Sequence, residues 1–274
     1  MHFCQEIYFV LLLFYVNKTL SVTIEQDLSI TWDQKQALDK FRELVDSDLT
    51  HDYMREDIYL IRWLRARNFD LHAAESMLLK NLDWRKKNGM DSILDEDFSD
   101  MESDYKYFID GFDYQGRPVA FWDLGSYDFR RASLSGKGKR LLRYMDRYLE
   151  QVTTKVRTLR ETEGRNITQY SLVTNLGGFN VAQHLCLQCL PMTLNFIDSY
   201  ENHFPGACDS MFLINTPAAM EPVLQVLKNA VSPLTRDSLK IFGRNKEKWQ
   251  SQVYREIPRN QLPPSVGGTA SYAD

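Results

Sequence analysis

The chain has 274 residues, of which 43% are hydrophobic and 26% are charged. This composition is ordinary for a globular protein and excludes a disordered chain, a collagen and a small disulfide-rich protein. The formal net charge of −4 provides no overall attraction to nucleic acid or to acidic membranes, so any such attraction must be local. At roughly 150 residues per domain, the length predicts about two domains.

Residues 1–29 are interpreted as a leader or extension that lies outside the folded domains. Residues 7–16 form a run of ten apolar residues, which has the length of a signal-peptide core and is too short to span a bilayer. The charges argue against a signal peptide, because Glu6 precedes the run and Lys18 follows it. The four cysteines do not form the pattern of a disulfide framework and indicate a reducing compartment. We therefore expect a cytoplasmic protein, with secretion as the alternative.

Residues 30–96 are predicted to form a small all-α domain. Thr31 and Gln34 have the spacing of a capping box, which marks the start of a helix. Apolar residues then recur at helical spacing through a first and a second helix. Asp70 is a natural N-cap for a third helix, which is predicted over Leu71–Lys87 and ends at an Asn-Gly pair.

Residues 97–268 have the pattern of an α/β domain, followed by a tail over residues 269–274. Two short apolar strands are joined by a hairpin turn, and three further strands alternate with helices. This order predicts a mixed, largely parallel sheet covered by helices. Such sheets bind ligands beyond the carboxyl ends of their strands, here at Asn175, Asn215 and Gly243. The predicted strands are residues 107–112, 118–123, 170–175, 211–215 and 239–242.

Catalytic and metal-binding motifs do not emerge from the sequence. It contains no nucleophile elbow, P-loop or zinc-protease helix, so we predict neither an enzyme nor a cofactor. His184, Cys186 and Cys189 have the chemistry of metal ligands, but they lie in one predicted helical apolar stripe. Buried cysteines behave there as small hydrophobic residues, and no metal site is predicted.

Two helices have suggestive but ambiguous patterns. Residues 130–165 contain 11 Lys or Arg against 4 Asp or Glu. Without interleaved aromatic residues or a groove-reading motif this excess does not predict nucleic-acid binding, and it fits either a membrane-facing helix or a solvated one. The helix predicted over residues 218–231 has a broad apolar stripe, which an ordinary crossover helix would also have.

Four segments resemble a known family. Residues 57–70 (DIYLIRWLRARNFD) resemble the signature of the helical domain that precedes the CRAL-TRIO lipid-binding domain. Residues 212–217 (FLINTP), the helix end at Leu227-Lys228 and the closing residues 262–268 (LPPSVGG) are similar to landmarks of that domain itself. Among its subfamilies the chain most resembles supernatant protein factor, also called tocopherol-associated protein. That subfamily continues into a Golgi-dynamics (GOLD) domain, which we do not expect here because the chain stops at Asp274.

The resemblance implies a carrier for one hydrophobic lipid, such as a phospholipid or tocopherol, which is exchanged transiently at membranes. The lipid would lie in an apolar pocket floored by the sheet and closed by a gate helix, residues 218–231. Basic residues of the 130–165 helix would contact the membrane, namely Arg140, Arg143 and Arg147. The residues expected to contact the lipid are Leu172, Val173, Phe212 and Ile214 on the strands, and Met220, Val223, Leu224, Leu227 and Lys228 on the gate.

The class of lipid follows from departures from the family pattern. Phosphoinositide-binding members have a Glu after a Tyr/Phe-Pro pair, whereas Gly206 follows Phe204-Pro205 here, and Asn175 replaces the family's Asp. These departures favour a neutral lipid or another phospholipid. The alternative function is a regulatory module that uses the same fold to bind a protein partner such as a small GTPase.

Overall fold

The computed structural model describes residues 24–271. The apolar run of residues 7–16, on which the signal-peptide alternative depends, lies outside the described residues. Within residues 24–271, no helix has the length and apolar character needed to cross a bilayer.

The first four helices are α1 (Ile24–Asp27), α2 (Trp32–Val45), α3 (Asp57–Ala66) and α4 (Leu71–Lys87). Thr31 and Gln34 form both hydrogen bonds of the predicted capping box, and Asp70 caps α4 as predicted. Helices α2, α3 and α4 bury their apolar stripes in one small core. Part of the predicted leader also belongs to this fold, because Asp27 of α1 forms an ion pair with Arg65 of α3.

The α/β region begins with a short helix and a hairpin and then alternates helices with strands. Its first elements are α5 (Ser99–Glu102), β1 (Tyr107–Phe112), β2 (Pro118–Trp122), α6 (Phe129–Leu134), α7 (Gly138–Glu163) and β3 (Tyr170–Asn175). The remaining elements are α8 (Val181–His184), α9 (Leu190–His203), β4 (Cys208–Ile214), α10 (Glu221–Ala230), α11 (Pro233–Ser238), β5 (Leu239–Ile241) and α12 (Lys246–Glu256).

The five strands form one sheet in the order β1-β2-β3-β4-β5. The β1–β2 pair is antiparallel and the other three pairs are parallel, which confirms the predicted α/β class. Three successive crossovers step in the same direction across the sheet. Because crossovers between parallel strands are right-handed, they place their helices on the same face.

The sheet is therefore covered differently on its two faces. One face packs against α7 and α9 in the largest core of the described residues. The other face packs against α12 and the closing segment, through Trp249, Val253 and Leu262. The closing segment is held tightly, since a Cβ on Gly268 would lie 1.9 Å from the carbonyl oxygen of Leu262.

The region of residues 182–200 differs from the prediction of one continuous helical stripe. It forms two helices, α8 and α9, because Pro191 lies in the first turn of α9 and has no N–H with which to continue a preceding helix. The break brings Cys186 and Cys189 together, with a Cα–Cα distance of 4.9 Å, and they form a disulfide. The interpretation of both cysteines as thiols in an apolar stripe was therefore wrong.

Candidate functional site

A cavity of about 280 Å³ lies between the sheet and the helices on its α7 and α9 face. Its wall is almost entirely apolar and is completed by α10. Residues from the sheet, from α7 and from α9 contribute together, so the cavity exists only in the folded chain. The lining from these three parts includes Trp122, Leu172, Thr174, Met211, Leu213, Met145, Leu149, Leu190, Leu194, Phe196, Ile197 and Tyr200.

The floor of the cavity uses alternate residues of each strand. Leu172 lines the cavity, as do Thr174 on the same strand and Leu213 on β4. Successive side chains of a strand point to opposite faces, so the neighbour of Leu172, Val173, cannot share its face.

Three predicted floor residues therefore lie on the wrong face. Val173, Phe212 and Ile214 are fully buried against α12 in the core of the opposite face. Their prediction as lipid contacts is corrected by the structure. The sequence pattern did not distinguish the faces because both are apolar in this sheet, as is usual when helices cover both sides.

The predicted gate residues are all brought to the cavity. A single 3₁₀ turn, Ala218–Met220, follows the strand β4 and leads directly into α10. Met220, Val223, Leu224, Leu227 and Lys228 all line the cavity. These positions recur at intervals of three and four residues, so α10 turns one continuous stripe toward the cavity.

The opposite face of α10 is open to solvent. Gln225 is exposed, and Val226 has 68% of its surface exposed. Met220 and Leu224 pack on Leu176 and Phe179 in a small separate cluster. Helix α10 is thus attached to the molecule chiefly through the side chains that line the cavity.

Polar groups of the lining collect where α9, α10 and α11 meet. Glu201, Lys228 and Thr235 line this part of the cavity. Glu201 accepts a hydrogen bond of 2.9 Å from the backbone N–H of Ser232, and its second carboxylate oxygen is buried without a partner among the described residues. Lys228 forms no ion pair within residues 24–271. These groups could contact the polar part of an otherwise apolar ligand.

Three tyrosines contribute hydroxyl groups deep in the cavity wall. Tyr148, Tyr170 and Tyr200 all line it. Burial raises the pKa of each hydroxyl well above its ordinary value, so the hydroxyls stay neutral. A neutral, aromatic wall suits an apolar ligand.

The arginines predicted to contact a membrane are engaged within the molecule. Arg143 pairs with Glu96, and Arg140 pairs with Asp100 while its guanidinium lies 4.0 Å from the ring centre of Phe98. The remaining one is Arg147, whose Nη1 lies 2.9 Å from a carboxylate oxygen of Glu102. These ion pairs connect α7 to the segment before β1. The prediction that the three arginines form a free basic surface is therefore corrected.

Exposed leucines, not arginines, border the cavity. Leu190 and Leu194 of α9 line it and are also 36% and 56% exposed. Leu187, just before α9, is 79% exposed. The three leucines Leu187, Leu190 and Leu194 are called the apolar rim below.

At the carboxyl ends of the strands, where ligand binding was predicted, the lipid cavity is lined by Leu124, Leu176 and Met220, and the asparagines at these ends form a polar chain. Asn175 donates a hydrogen bond of 2.7 Å to Asp123, and Asn215 donates one of 2.8 Å to Asn175. Trp249 in turn donates to Asn215.

The candidate metal ligands do not converge on one site. His184 is buried, lines the cavity and has its Nδ1 2.9 Å from the carbonyl oxygen of Asn180. Cys186 and Cys189 are bonded to each other. Within residues 24–271, no group of three or more His, Cys, Asp or Glu is placed to hold a metal ion.

The sequence interpretation missed the helical part of the lining. Met145 and Leu149 of α7 and Phe196 and Tyr200 of α9 all line the cavity. A signal was present, since each pair has the four-residue spacing of a helix stripe. An apolar stripe alone does not show whether it faces a cavity or a filled core.

Comparison with known proteins identifies a protein family that this chain matches. The family model described as "CRAL/TRIO domain" matches residues 102–268. These residues include the whole sheet and every helix that lines the cavity.

Individual relatives are more distant. The chain is 27% identical over 266 residues to "Phosphatidylinositol/phosphatidylcholine transfer protein SFH4" of Arabidopsis thaliana, with 94% of this chain and 43% of that protein covered. It is 27% identical over 248 residues to "SEC14 cytosolic factor" of Kluyveromyces lactis, with 88% and 80% covered. The chain spans less than half the length of SFH4.

A solved structure shares the fold. The chain described as "Crystal structure of Sfh5" superposes with a TM-score of 0.63 at 14% identity, and the match covers 78% of this chain and 82% of that one. The match includes part of the helical region before β1, since it extends over more of the chain than the family model does.

Proposed function

The chain belongs to the CRAL/TRIO domain family, and we propose that it carries one hydrophobic lipid and exchanges it at membrane surfaces. The observation that carries this proposal is the apolar cavity walled by α10. A ligand in it would contact the sheet on one side and helices on the others. The names of the two relatives refer to lipid transfer or to a cytosolic factor, which fits a carrier better than an enzyme.

The free energy of burial in such a cavity favours retention of the lipid over its release into water. Removing a 16-carbon chain from water is worth on the order of 12 kcal/mol at about 0.8 kcal/mol per methylene. The lipid therefore does not escape into water, but a bilayer offers it an equivalent environment. Exchange at a membrane is then nearly neutral in free energy, and the opening of the cavity sets its rate.

Helix α10 is the proposed gate. It presents Leu224 and Leu227 to the cavity, while Gln225 and Val226 face solvent. Moving it would uncover the cavity without disturbing the sheet, whose opposite face is packed separately against α12. A gate of this kind exchanges contacts with the lipid for contacts with the bilayer.

The proposed membrane contact is the apolar rim. Exposed leucines beside an apolar cavity mark an interaction surface, and apolar side chains on a helix can enter the boundary between headgroups and acyl chains. The rim lies on the first turns of α9 and in the segment just before it, beside the cavity. Docking there would place the cavity directly against the bilayer.

The polar end of the ligand is proposed to lie beside Lys228, Glu201 and Thr235. Lys228 can pair with an anionic headgroup, whereas Glu201 and Thr235 can hydrogen-bond a neutral one. The missing Glu at Gly206 and the Asn at position 175 favour a phospholipid other than a phosphoinositide, or a neutral lipid.

The test compares two substitutions on α10. Val223→Trp places a large side chain in the cavity, whereas Val226→Trp, one turn away, places the same side chain in solvent. Native mass spectrometry of both proteins, purified from the organism's own cells, should show one bound lipid in wild type and Val226→Trp. The bound fraction should fall several-fold in Val223→Trp.

The result also separates the competing functions. Extraction and identification of the bound molecule would name the lipid class. If wild type carries no stoichiometric lipid, or if both variants bind it equally, the carrier proposal is wrong. A regulatory module that binds a protein partner would then be the better interpretation.

A further inference from the structure

A second, smaller cavity of about 80 Å³ lies where the N-terminal helices meet the α/β region. Its wall is formed by α3 and the segment before it, by α4 and α7, and by residues that precede β3 and β4. Helix α10 contributes nothing to it. Unlike the lipid cavity, this one has six charged side chains in its wall beside the apolar ones.

The lining carries an excess of positive charge. Four arginines and two glutamates contribute to it, namely Arg62, Arg85, Arg157, Arg160, Glu56 and Glu150. Each glutamate is already used by one arginine: Glu150 binds Arg85 at 2.8 and 3.1 Å, and Glu56 binds Arg160. Two guanidinium groups are left over.

The remaining two, Arg62 and Arg157, form no ion pair with any residue of the described range 24–271. Arg62 donates to the carbonyl oxygen of Thr168, and Arg157 donates to Thr154 at 3.2 Å while it stacks on Tyr53. Carbonyl, hydroxyl and ring contacts orient a guanidinium but do not neutralise it.

Unsatisfied hydrogen-bonding groups lie in the same wall. The Nε of Arg62 and the hydroxyl of Thr168 are buried without a partner among the described residues, and Thr168 is only 2% exposed. Buried polar groups are normally hydrogen-bonded. Burial also lowers the pKa of Arg62, as expected for a cation that lacks a counter-ion. The nearby carboxylate of Asp27 is engaged by Arg65.

We propose that this cavity binds a tetrahedral oxyanion, phosphate or a phosphomonoester, between Arg62 and Arg157. The planar guanidinium group matches phosphate oxygens with two parallel hydrogen bonds, and the hydroxyl of Thr168 supplies a further donor. The volume suits a small ion. Because Arg62 belongs to α3 and Arg157 to α7, the bound anion would join the N-terminal helices to the α/β region.

The experiment measures binding of inorganic phosphate by calorimetry and by the shift it causes in the melting temperature. Chloride at equal ionic strength is the reference. Phosphate should raise the melting temperature of wild type, because a ligand that binds only the folded state stabilises it. Arg62→Gln and Arg157→Gln should each weaken phosphate binding at least about tenfold, the loss expected for one charge-assisted hydrogen bond.

Lys155→Gln is the matched control, since it removes one positive charge from α7 but does not line the cavity. It should keep the wild-type response to phosphate. Both arginine variants are measured so that the proposal can still be tested if one of them misfolds. Equal shifts in phosphate and chloride, or an undiminished response in both arginine variants, would overturn the proposal.

A phospholipid headgroup could supply the same chemistry as free phosphate. Wild type and Arg157→Gln are therefore also loaded from vesicles that contain phosphatidate. Loss of phosphate binding with normal phosphatidate loading assigns the site to a free ion, and loss of both assigns it to a headgroup. Lipid binding in the main cavity is read separately by Val223→Trp, so either proposal can fail alone.

Discussion

At the scale of single residues, Lys228 is the proposed contact for an anionic headgroup. It is the only lysine or arginine in the wall of the lipid cavity as described. A purely structural role is an interaction with the C-terminal end of the α10 dipole, which any cation in the last turn of a helix has. The two roles differ in what they do to the ligand.

Replacement of Lys228 by Gln should weaken loading of an acidic phospholipid and leave a neutral lipid unchanged. The loss should be about 1.5–3 kcal/mol, the worth of one hydrogen bond to a charged group. Loading from vesicles of each composition, followed by native mass spectrometry, measures it. If the variant loads both lipids as wild type does, Lys228 serves only the helix.

A buried carboxyl joins α7 to α9 behind the cavity wall. Asp146 is 8% exposed and accepts a hydrogen bond from Ser199. Burial raises the pKa of Asp146 to about 6. The folded protein therefore holds a proton on this carboxyl between about pH 4 and 6, where the unfolded chain has released it.

The sign of the pH dependence follows from that difference in protons. The contribution of Asp146 to the free energy of unfolding falls as the pH rises through this window. Above about pH 6 the folded protein bears the full cost of burying a charged carboxylate. Asp146→Asn keeps an acceptor for Ser199 and removes the charge. It should raise the free energy of unfolding by about 1–3 kcal/mol at neutral pH.

Urea unfolding at about pH 7.5 and about pH 4 measures the free energy of unfolding of Asp146→Asn and wild type. The extra stability of Asp146→Asn should be largely lost at the lower pH. A variant that is no more stable than wild type at neutral pH would show that the carboxylate is well solvated. Ser199→Ala serves as the control for loss of the hydrogen bond itself.

At the scale of elements, the gate proposal depends on how α10 is attached to the molecule. Its cavity stripe is apolar and its outer face is exposed. A crossover helix of an ordinary α/β protein would be anchored in a filled core. Here it covers a cavity.

Leu224→Asp should leave the protein folded but unable to retain lipid or to dock on vesicles. A carboxylate there is solvated neither by the cavity nor by the bilayer, and burying it unpaired costs several kcal/mol unless it takes up a proton. Gln225→Asp, at the next position and exposed, is the matched control and should behave as wild type.

Circular dichroism and a vesicle-to-vesicle transfer assay distinguish the outcomes. If Leu224→Asp unfolds the whole domain, α10 is part of the core and the gate assignment is wrong. If the variant folds and transfers lipid normally, the mobile element lies elsewhere.

At the scale of the whole molecule, the proposed orientation on a membrane rests on the apolar rim. Replacing Leu187, Leu190 and Leu194 by Ser should slow lipid transfer severalfold, and Leu187→Ser alone should slow it without lowering stability, because Leu187 is 79% exposed and does not line the cavity. The loss should persist at high salt, since apolar insertion is not screened as charge is. Transfer rates at two salt concentrations, with melting temperatures, provide the measurement.

The variant for comparison replaces Arg140, Arg143 and Arg147 by Ser. These arginines pair with acidic residues of the segment before β1, so their loss should lower stability by a few tenths to about 1 kcal/mol for each pair. Transfer that falls with the arginines and not with the leucines, in a salt-dependent way, would restore the basic surface as the membrane contact.

The sequence by itself determined the elements and the family. The cap at Thr31, the helix over Leu71–Lys87 and the strand over Tyr170–Asn175 were predicted and are confirmed, because caps and apolar runs are local signals. The CRAL-TRIO resemblance is confirmed by the match over residues 102–268. The subfamily and the domain boundary at residue 97 remain predictions.

Only the tertiary structure decided which apolar and charged residues share a surface. Val173 and Leu172 are alike in sequence, and the pleat alone places one in a core and the other in the cavity. The arginines of α7 look like a free basic stripe until the segment before β1 packs beside them. The face on which a side chain lies and the residue with which it pairs depend on segments that are distant in the chain. Local sequence patterns do not contain this information.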